Sequence, residues 1–458
     1  MSTIATSRPA RRVRDLTTGS LGRHILDLSL PSTIESAVFS ASSLVHVFWL
    51  GRLGGTALAA VSVGTTLRIA LISPVMGLSV GGMALVARYV GARERRLADR
   101  AVAQTLLLLL GFVLLISIVG QVMVRTFLGW MGATGSLMQE ATAFFRIVFG
   151  GLFFMECLPT MSGVMRGAGH PEYVLRANLA NVVTLMVLDL LLLSGLGPLP
   201  SLGVIGAGWA SVLSSAVGVG MQFIILRQGI AGVHLHLADL RPDWAMMGRI
   251  LKIAMPVSLQ RFAPNLGAAV VTRLITGFGT EVLTAYSVIT TLFGLLSGPG
   301  MGIANAAASL VGQNLGAQRP ERSQRSAHLA AYSALLITLA AIVPVAVWPT
   351  PMLRLFTQNE GVLAIGAAAV RVLFLVPVFN AWLLVMQSAL AGAGEAIWPM
   401  WISIGTLWLA QIPLCWGLSL LPALGTTGIW IGLAIGGLAG AIGLSVRFRQ
   451  GNWKKVVV

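Results

Sequence analysis

Apolar stretches of about twenty residues, each long enough to cross a bilayer as a helix, recur from one end of this chain to the other. A backbone in hydrocarbon has no water to bond, so each such stretch must satisfy its own N–H and C=O groups, which a helix does. Composition closes the alternative. Of 458 residues, 56% are hydrophobic and only 10% charged, against roughly a quarter charged in a soluble domain. The length would suit two or three globular domains, but so few charges could not cover their surfaces. The chain reads as an all-α membrane protein and excludes a soluble enzyme.

Membrane helices are expected at 25–50, 57–89, 101–124, 139–163, 173–194, 205–227, 250–277, 282–314, 327–348, 362–390, 397–420 and 424–446. Those at 57–89 and 282–314 are long enough to tilt or to extend beyond the bilayer. The formal charge of +16 is concentrated at Arg8 to Arg23, Arg93 to Arg100, Arg319 to Arg325 and Arg447 to Lys455, always between apolar stretches. That is the positive-inside pattern. It sets both termini in the cytoplasm and leaves Arg52, Arg125 and Arg354 in external loops. Nucleic-acid binding would need a basic face with exposed aromatics, and here the aromatics lie inside the apolar runs. The first 23 residues are basic and polar and read as a tail rather than a signal peptide. Cys157 and Cys415 fall in separate helices and read as buried structural thiols, with no disulfide or metal site.

The chain also repeats itself at a constant offset of 225 residues. Pro31 pairs with Pro256, Gly54 with Gly279, Ser62 with Ser287 and Gly77 with Gly302. The series continues through Gly91 and Gly316, Arg146 and Arg371, Gly167 and Gly392, and Gly169 and Gly394. Each half holds six helices, an even number, so the halves are parallel repeats about an axis along the membrane normal, enclosing a central cavity. The expected organisation is a basic cytoplasmic tail (1–24), an N-lobe (25–227), a cytoplasmic connector (228–249), a C-lobe (250–446) and a second basic tail (447–458).

The first helix reads LSLPSTIESAVFSASSLVHVFWLGRLG and is followed by ALAAVS. The loop after helix eight reads GQNLGAQ, with ARYVGAR as its counterpart after helix two. MRGAGHPEY and LAGAGEAIWP follow helices four and ten. In this order and duplicated, these motifs resemble the multidrug and toxic compound extrusion (MATE) family over nearly the whole chain. The resemblance implies efflux of organic, often cationic, compounds driven by inward flow of protons or sodium ions. The glycines also have a structural reading: small residues allow close helix packing and tight turns.

Of the 15 acidic residues, only Glu35, Glu156 and Asp189 fall well inside predicted helices. Intramembrane acids are costly and usually mark a cavity or ion path. All three lie in the first half, and their partners at the repeat offset are Gln260, Ala381 and Leu414. The lobes therefore share a scaffold but not a titrating site. Asp189 and His46 each lie about five residues, or ~7.5 Å, from the external ends of their helices. In one branch of the family, an aspartate in helix five and another in helix one serve the coupling ion. Asp189 matches the first position; the second is His46, and the family's asparagine one turn before the helix-five acid is Leu185 here. Sodium prefers hard oxygen ligands, whereas a histidine ordinarily titrates near neutrality, so protons are favoured over sodium.

Glu156 is a further candidate for this cluster, with Pro159 nearby able to kink helix four. Ser211 matches a position where the family often has Thr or Ser, and Glu35 lies one turn after Pro31, able to line the cavity or pair with a basic residue. The acids of the other family branch fall at Pro264 and Asn380, which leaves that mechanism without its groups. Gln260, Asn265, Asn305, Asn380 and Gln387 remain as neutral candidates for the cavity wall, and as helix-packing contacts otherwise. Arg68 and Arg261 need partners if buried; facing the cavity, they would suit zwitterionic or anionic substrates.

These features predict a proton-coupled antiporter of amphiphilic organic compounds in the bacterial inner membrane. It would act as a monomer among lipids, with no cofactor beyond the coupling ion. A lipid-linked sugar flippase on the same scaffold is the alternative kept open by the two arginines. A membrane-embedded enzyme would need a paired catalytic set, and a channel a symmetric polar pore; neither pattern is present in the sequence.

Overall fold

The computed structural model describes residues 14–193, 201–229 and 232–456; Arg8 of the expected basic tail lies outside them. No strand occurs among the described residues. The first half contains α1 (Leu21–Leu53), α2 (Gly55–Ile72), α3 (Leu78–Gly91), α4 (Arg95–Trp130), α5 (Gly135–Gly150), α6 (Leu152–Gly167), α7 (Pro171–Leu192) and α8 (Gly203–Arg227). The second contains α9 (Trp244–Thr276), α10 (Thr280–Leu296), α11 (Gly298–Gly316), α12 (Pro320–Val347), the short α13 (Pro349–Leu353), α14 (Glu360–Leu373), α15 (Val376–Gly392), α16 (Ile397–Gly405), α17 (Ile412–Ser419) and α18 (Thr426–Arg449). A π-helical stretch at Thr406–Gln411 joins α16 to α17 into one span.

Seven of these spans are long, apolar and unbroken, and three more are bent pairs. The α2–α3 pair and α9 complete twelve. Four helices expected to be continuous are therefore broken, and the cause is local. The expected 57–89 helix stops at Ile72, just before Pro74, which has no N–H to give to the helical ladder. The freed groups are met from another helix: the Ser258 hydroxyl donates to the Pro74 carbonyl (2.9 Å) and accepts from the Gly77 N–H (2.9 Å). The expected 282–314 helix breaks before Pro299 with a 46° bend between α10 and α11. Span four bends by 51° at Gly151 rather than at Pro159, and span ten by 48° before Pro377.

The 225-residue offset is written into backbone geometry. Gly54 and Gly279 have φ of 112° and 105°, Gly169 and Gly394 have 92° and 90°, and even the non-glycine pair Arg93 and Gln318 share 63° and 58°. It also sets how the lobes meet. A Cβ on Gly91 would lie 2.0 Å from the Gln313 carbonyl oxygen, and one on Gly316 would lie 2.0 Å from that of Arg88. Residues 88 and 313 are themselves repeat mates, so α3 and α11 cross through two reciprocal backbone contacts. Gly77 against the Ala254 carbonyl and Gly302 against that of Ser29 repeat the relation between α3 and α9 and between α11 and α1. Only glycine allows such approaches.

All of these crossings lie in the half of the molecule that carries the basic loops. There the lobes are closed together. In the other half, α2 packs against α4 and α5 and α10 against α14, each within its own lobe, and the later turns of α1 and α9 are largely exposed. A cleft thus opens between the lobes away from the basic loops. The connector is fastened to α4: Gln104 donates to the carbonyls of Asp239 (2.9 Å) and Arg241 (2.8 Å), and Asp243 caps α9 by accepting from the Met246 N–H. Residues 453–456 pack at the closed end, where buried Trp453 stacks on Phe448 and Arg88 donates to the Val456 carbonyl.

Candidate functional site

The intramembrane acids of the N-lobe do not gather into one cluster. They form three separate pairs. Nearest the open end, His46 on α1 places Nδ1 at 2.8 Å from Oδ2 of Asp189 on α7. The Nδ1–H tautomer donates to the carboxylate. The Asp189 side chain is only 1% exposed and that of His46 17%, so the imidazole covers the acid on the accessible side. The other oxygen, Oδ1, is buried and has no hydrogen-bond partner among the described residues. Asp189 lies in the last turn of α7, three residues before its end, and His46 seven residues before the end of α1, and these two helices pack together. Leu185, one turn before the acid, packs against the hydrophobic core and offers it no polar group.

Glu156 is held elsewhere. Arg68 on α2 donates to it at 2.6 Å, and both side chains are largely buried. Glu35 is bound by Arg166 through one nitrogen to both oxygens (2.6 and 2.8 Å) and by Asn178 at 2.8 Å. Arg166 and Asn178 are partners of a candidate residue, Glu35, and the sequence did not single them out. The repeat could have found Asn178: Glu35 and Asn178 map onto Gln260 and Ser403, which are also bonded, at 3.0 Å. In the C-lobe the charge is gone. Gln387 supplies the third member there, donating to the Ser403 hydroxyl at 2.8 Å.

The remaining candidates are dispersed. Ser211 uses its hydroxyl within α8, donating to the Ala207 carbonyl. Gln260 and Gln387 pack inside the C-lobe as described. Asn305 lines a narrow crevice with Ser32, Arg166 and Ser309 between α1, α6 and α11, while Asn265 and Asn380 are exposed. Arg261 is exposed on α9. Among the described residues, no group of three or more His, Cys, Asp or Glu side chains is disposed to hold a metal. Cys157 and Cys415 are free and buried.

Twelve spans in two repeated bundles, with three acids held inside the spans of the first bundle and neutral residues at their repeat positions in the second, define a multi-pass membrane transporter. A family model described as MatE matches residues 31–191 and 256–416, two segments that differ by the same 225. The chain belongs to the MATE family of transporters. Similar proteins include probable multidrug resistance proteins NorM of Geobacillus kaustophilus (26% identity, covering 94% of this chain and 95% of that protein) and Deinococcus radiodurans (27%, covering 93% and 94%). A multidrug resistance MATE family transporter solved in an outward-facing conformation superposes with a TM-score of 0.89 at 25% identity, covering 98% of this chain and all of that one.

Proposed function

We propose that this transporter exports amphiphilic organic compounds by alternating access, driven by inward movement of protons through the His46–Asp189 pair. The observation that carries the reading is the geometry of that pair: a buried carboxylate with one oxygen bound to a partly exposed imidazole and the other without a partner among the described residues. Such a carboxylate can accept a proton on the second oxygen without breaking its existing bond, and the imidazole is suited to relay it. An intramembrane acid of this kind is by default a transport site. A sodium ion would want several oxygen ligands, and an imidazole nitrogen occupies one side of this acid. The names of the relatives, multidrug resistance proteins, support organic substrates.

The cleft opens on the face opposite the basic loops, which the positive-inside pattern sets in the cytoplasm. That arrangement corresponds to an outward-open state in the bacterial inner membrane. Protonation of Asp189 would weaken its charge-assisted bond to His46, which ties α1 to α7, and so bias the lobe toward its other conformation. The test is transport by reconstituted protein under a proton gradient and a sodium gradient imposed separately. Asp189→Asn should abolish transport while leaving a folded protein, because an amide exchanges no proton; gradient-driven transport by that variant would end the proposal.

A further inference from the structure

Arg261 stands apart from every other charge deep in the spans. Glu35 is matched by Arg166, Glu156 by Arg68 and Asp189 by His46. Among the described residues, neither a carboxylate nor a carbonyl lies within hydrogen-bonding distance of the Arg261 guanidinium.

Its direction follows from helix register. On α9, Ile250, Ala254 and Ser258 face the N-lobe: Gly81 abuts the Ile250 carbonyl, Gly77 the Ala254 carbonyl, and Ser258 bridges the break between α2 and α3. Residue 261 is seven positions beyond Ala254, two turns along and about 20° off the same line. It therefore continues the lobe-facing stripe by one turn past the last contact, where the lobes part. Its accessible surface is the floor of the cleft rather than the lipid face. Arg166, across the boundary on α6, is already bound to Glu35. The adjacent face of α9 is occupied by Gln260, which points the other way, into Ser403 and the Pro399 carbonyl of the C-lobe.

We infer that Arg261 is an anion subsite at the floor of the central cleft and that the exported substrates carry a carboxylate or similar anionic group beside their apolar body. An unpaired guanidinium in a cleft is costly until an anion meets it. It offers five N–H donors in a planar fork suited to carboxylate or phosphate. The neutral residues around it, such as Asn265 one turn above, leave an apolar body free to vary. A purely cationic compound would meet an uncompensated positive charge at the deepest point.

This inference rests on the export reading, and the test separates the two. Rhodamine B and its ethyl ester share one cationic ring system; only the first has a free carboxylate. In purified protein at neutral pH, fluorescence anisotropy should show rhodamine B bound roughly tenfold tighter than the ester, the scale of one charge-assisted hydrogen bond. Arg261→Gln should lose that preference while holding the ester as tightly or more so, and Arg261→Lys should keep most of it. Equal or tighter binding of the ester by the wild type, or an equal loss of both dyes in Arg261→Gln, would overturn the anion subsite. In proteoliposomes, proton-driven movement of both dyes without preference would leave the export reading standing and remove the subsite. Failure to bind or move either dye would remove both.

Discussion

Replacing Gly91 by alanine tests how the lobes are held shut at the basic-loop end. The new Cβ would sit 2.0 Å from the Gln313 carbonyl oxygen, where a carbon–oxygen contact needs about 3.4 Å. The obstacle is backbone on both sides, so α3 and α11 must separate by more than an ångström. A gap of roughly 0.5–1 Å already forfeits a quarter to a half of the dispersion attraction across it, and overfilling a packed contact costs about 1–3 kcal/mol. The contact exists only while this end is closed, so the cost falls on that state alone. It should shift the population toward opening roughly five- to 150-fold. Spin labels at Arg100 and Arg325, exposed repeat mates at the starts of α4 and α12, would report it as growth of a longer distance. Gly316→Ala should act alike, since its Cβ would meet the Arg88 carbonyl at 2.0 Å. The double variant should cost less than the sum, because one separation relieves both clashes. Gly111→Ala, where nothing lies within 4 Å, should change nothing. A distance distribution unmoved by Gly91→Ala in folded protein would show that this crossing does not hold the gate.

Three further outcomes are expected. Arg68→Ala leaves Glu156 buried without its partner and should destabilise the protein by about 3–5 kcal/mol, whereas Arg68→Met with Glu156→Gln should recover most of the loss; thermal unfolding midpoints in detergent would show it, and a double variant no better than the single would refute the pairing. A cysteine at Arg241, exposed in the connector, should react with an impermeant reagent only in permeabilised cells, while one at exposed Gln358 should react from outside; labelling of position 241 in intact cells would invert the topology. His46→Asp should move transport toward sodium dependence, since two carboxylates make a harder site, and transport by the wild type that follows sodium and ignores protons would place His46 outside the ion path.

Depth, repetition and asymmetry were legible along the chain because each is one-dimensional. Apolar runs mark where spans lie, and distance from a run's end places Asp189 and His46 at one level. An ungapped offset of 225 residues preserves the turns, down to the matched φ of Gly54 and Gly279. The neutral residues Gln260, Ala381 and Leu414 at the repeat positions show that only the first lobe carries these three intramembrane acids. What faces what was not legible. Arg68 binding Glu156, and Arg166 with Asn178 binding Glu35, depend on the rotation of each helix about its axis and on the crossing of neighbours. Apolar periodicity cannot report that rotation where lipid and protein interior are equally apolar. The helix breaks escaped for a related reason: prolines lie inside α1 and α9 without ending them, and Pro74 ends its helix where Ser258, 184 residues away, is present to satisfy the backbone it frees. Arg261 joins the two levels, its charge plain in the sequence and its direction decided only by where α9 leaves the N-lobe.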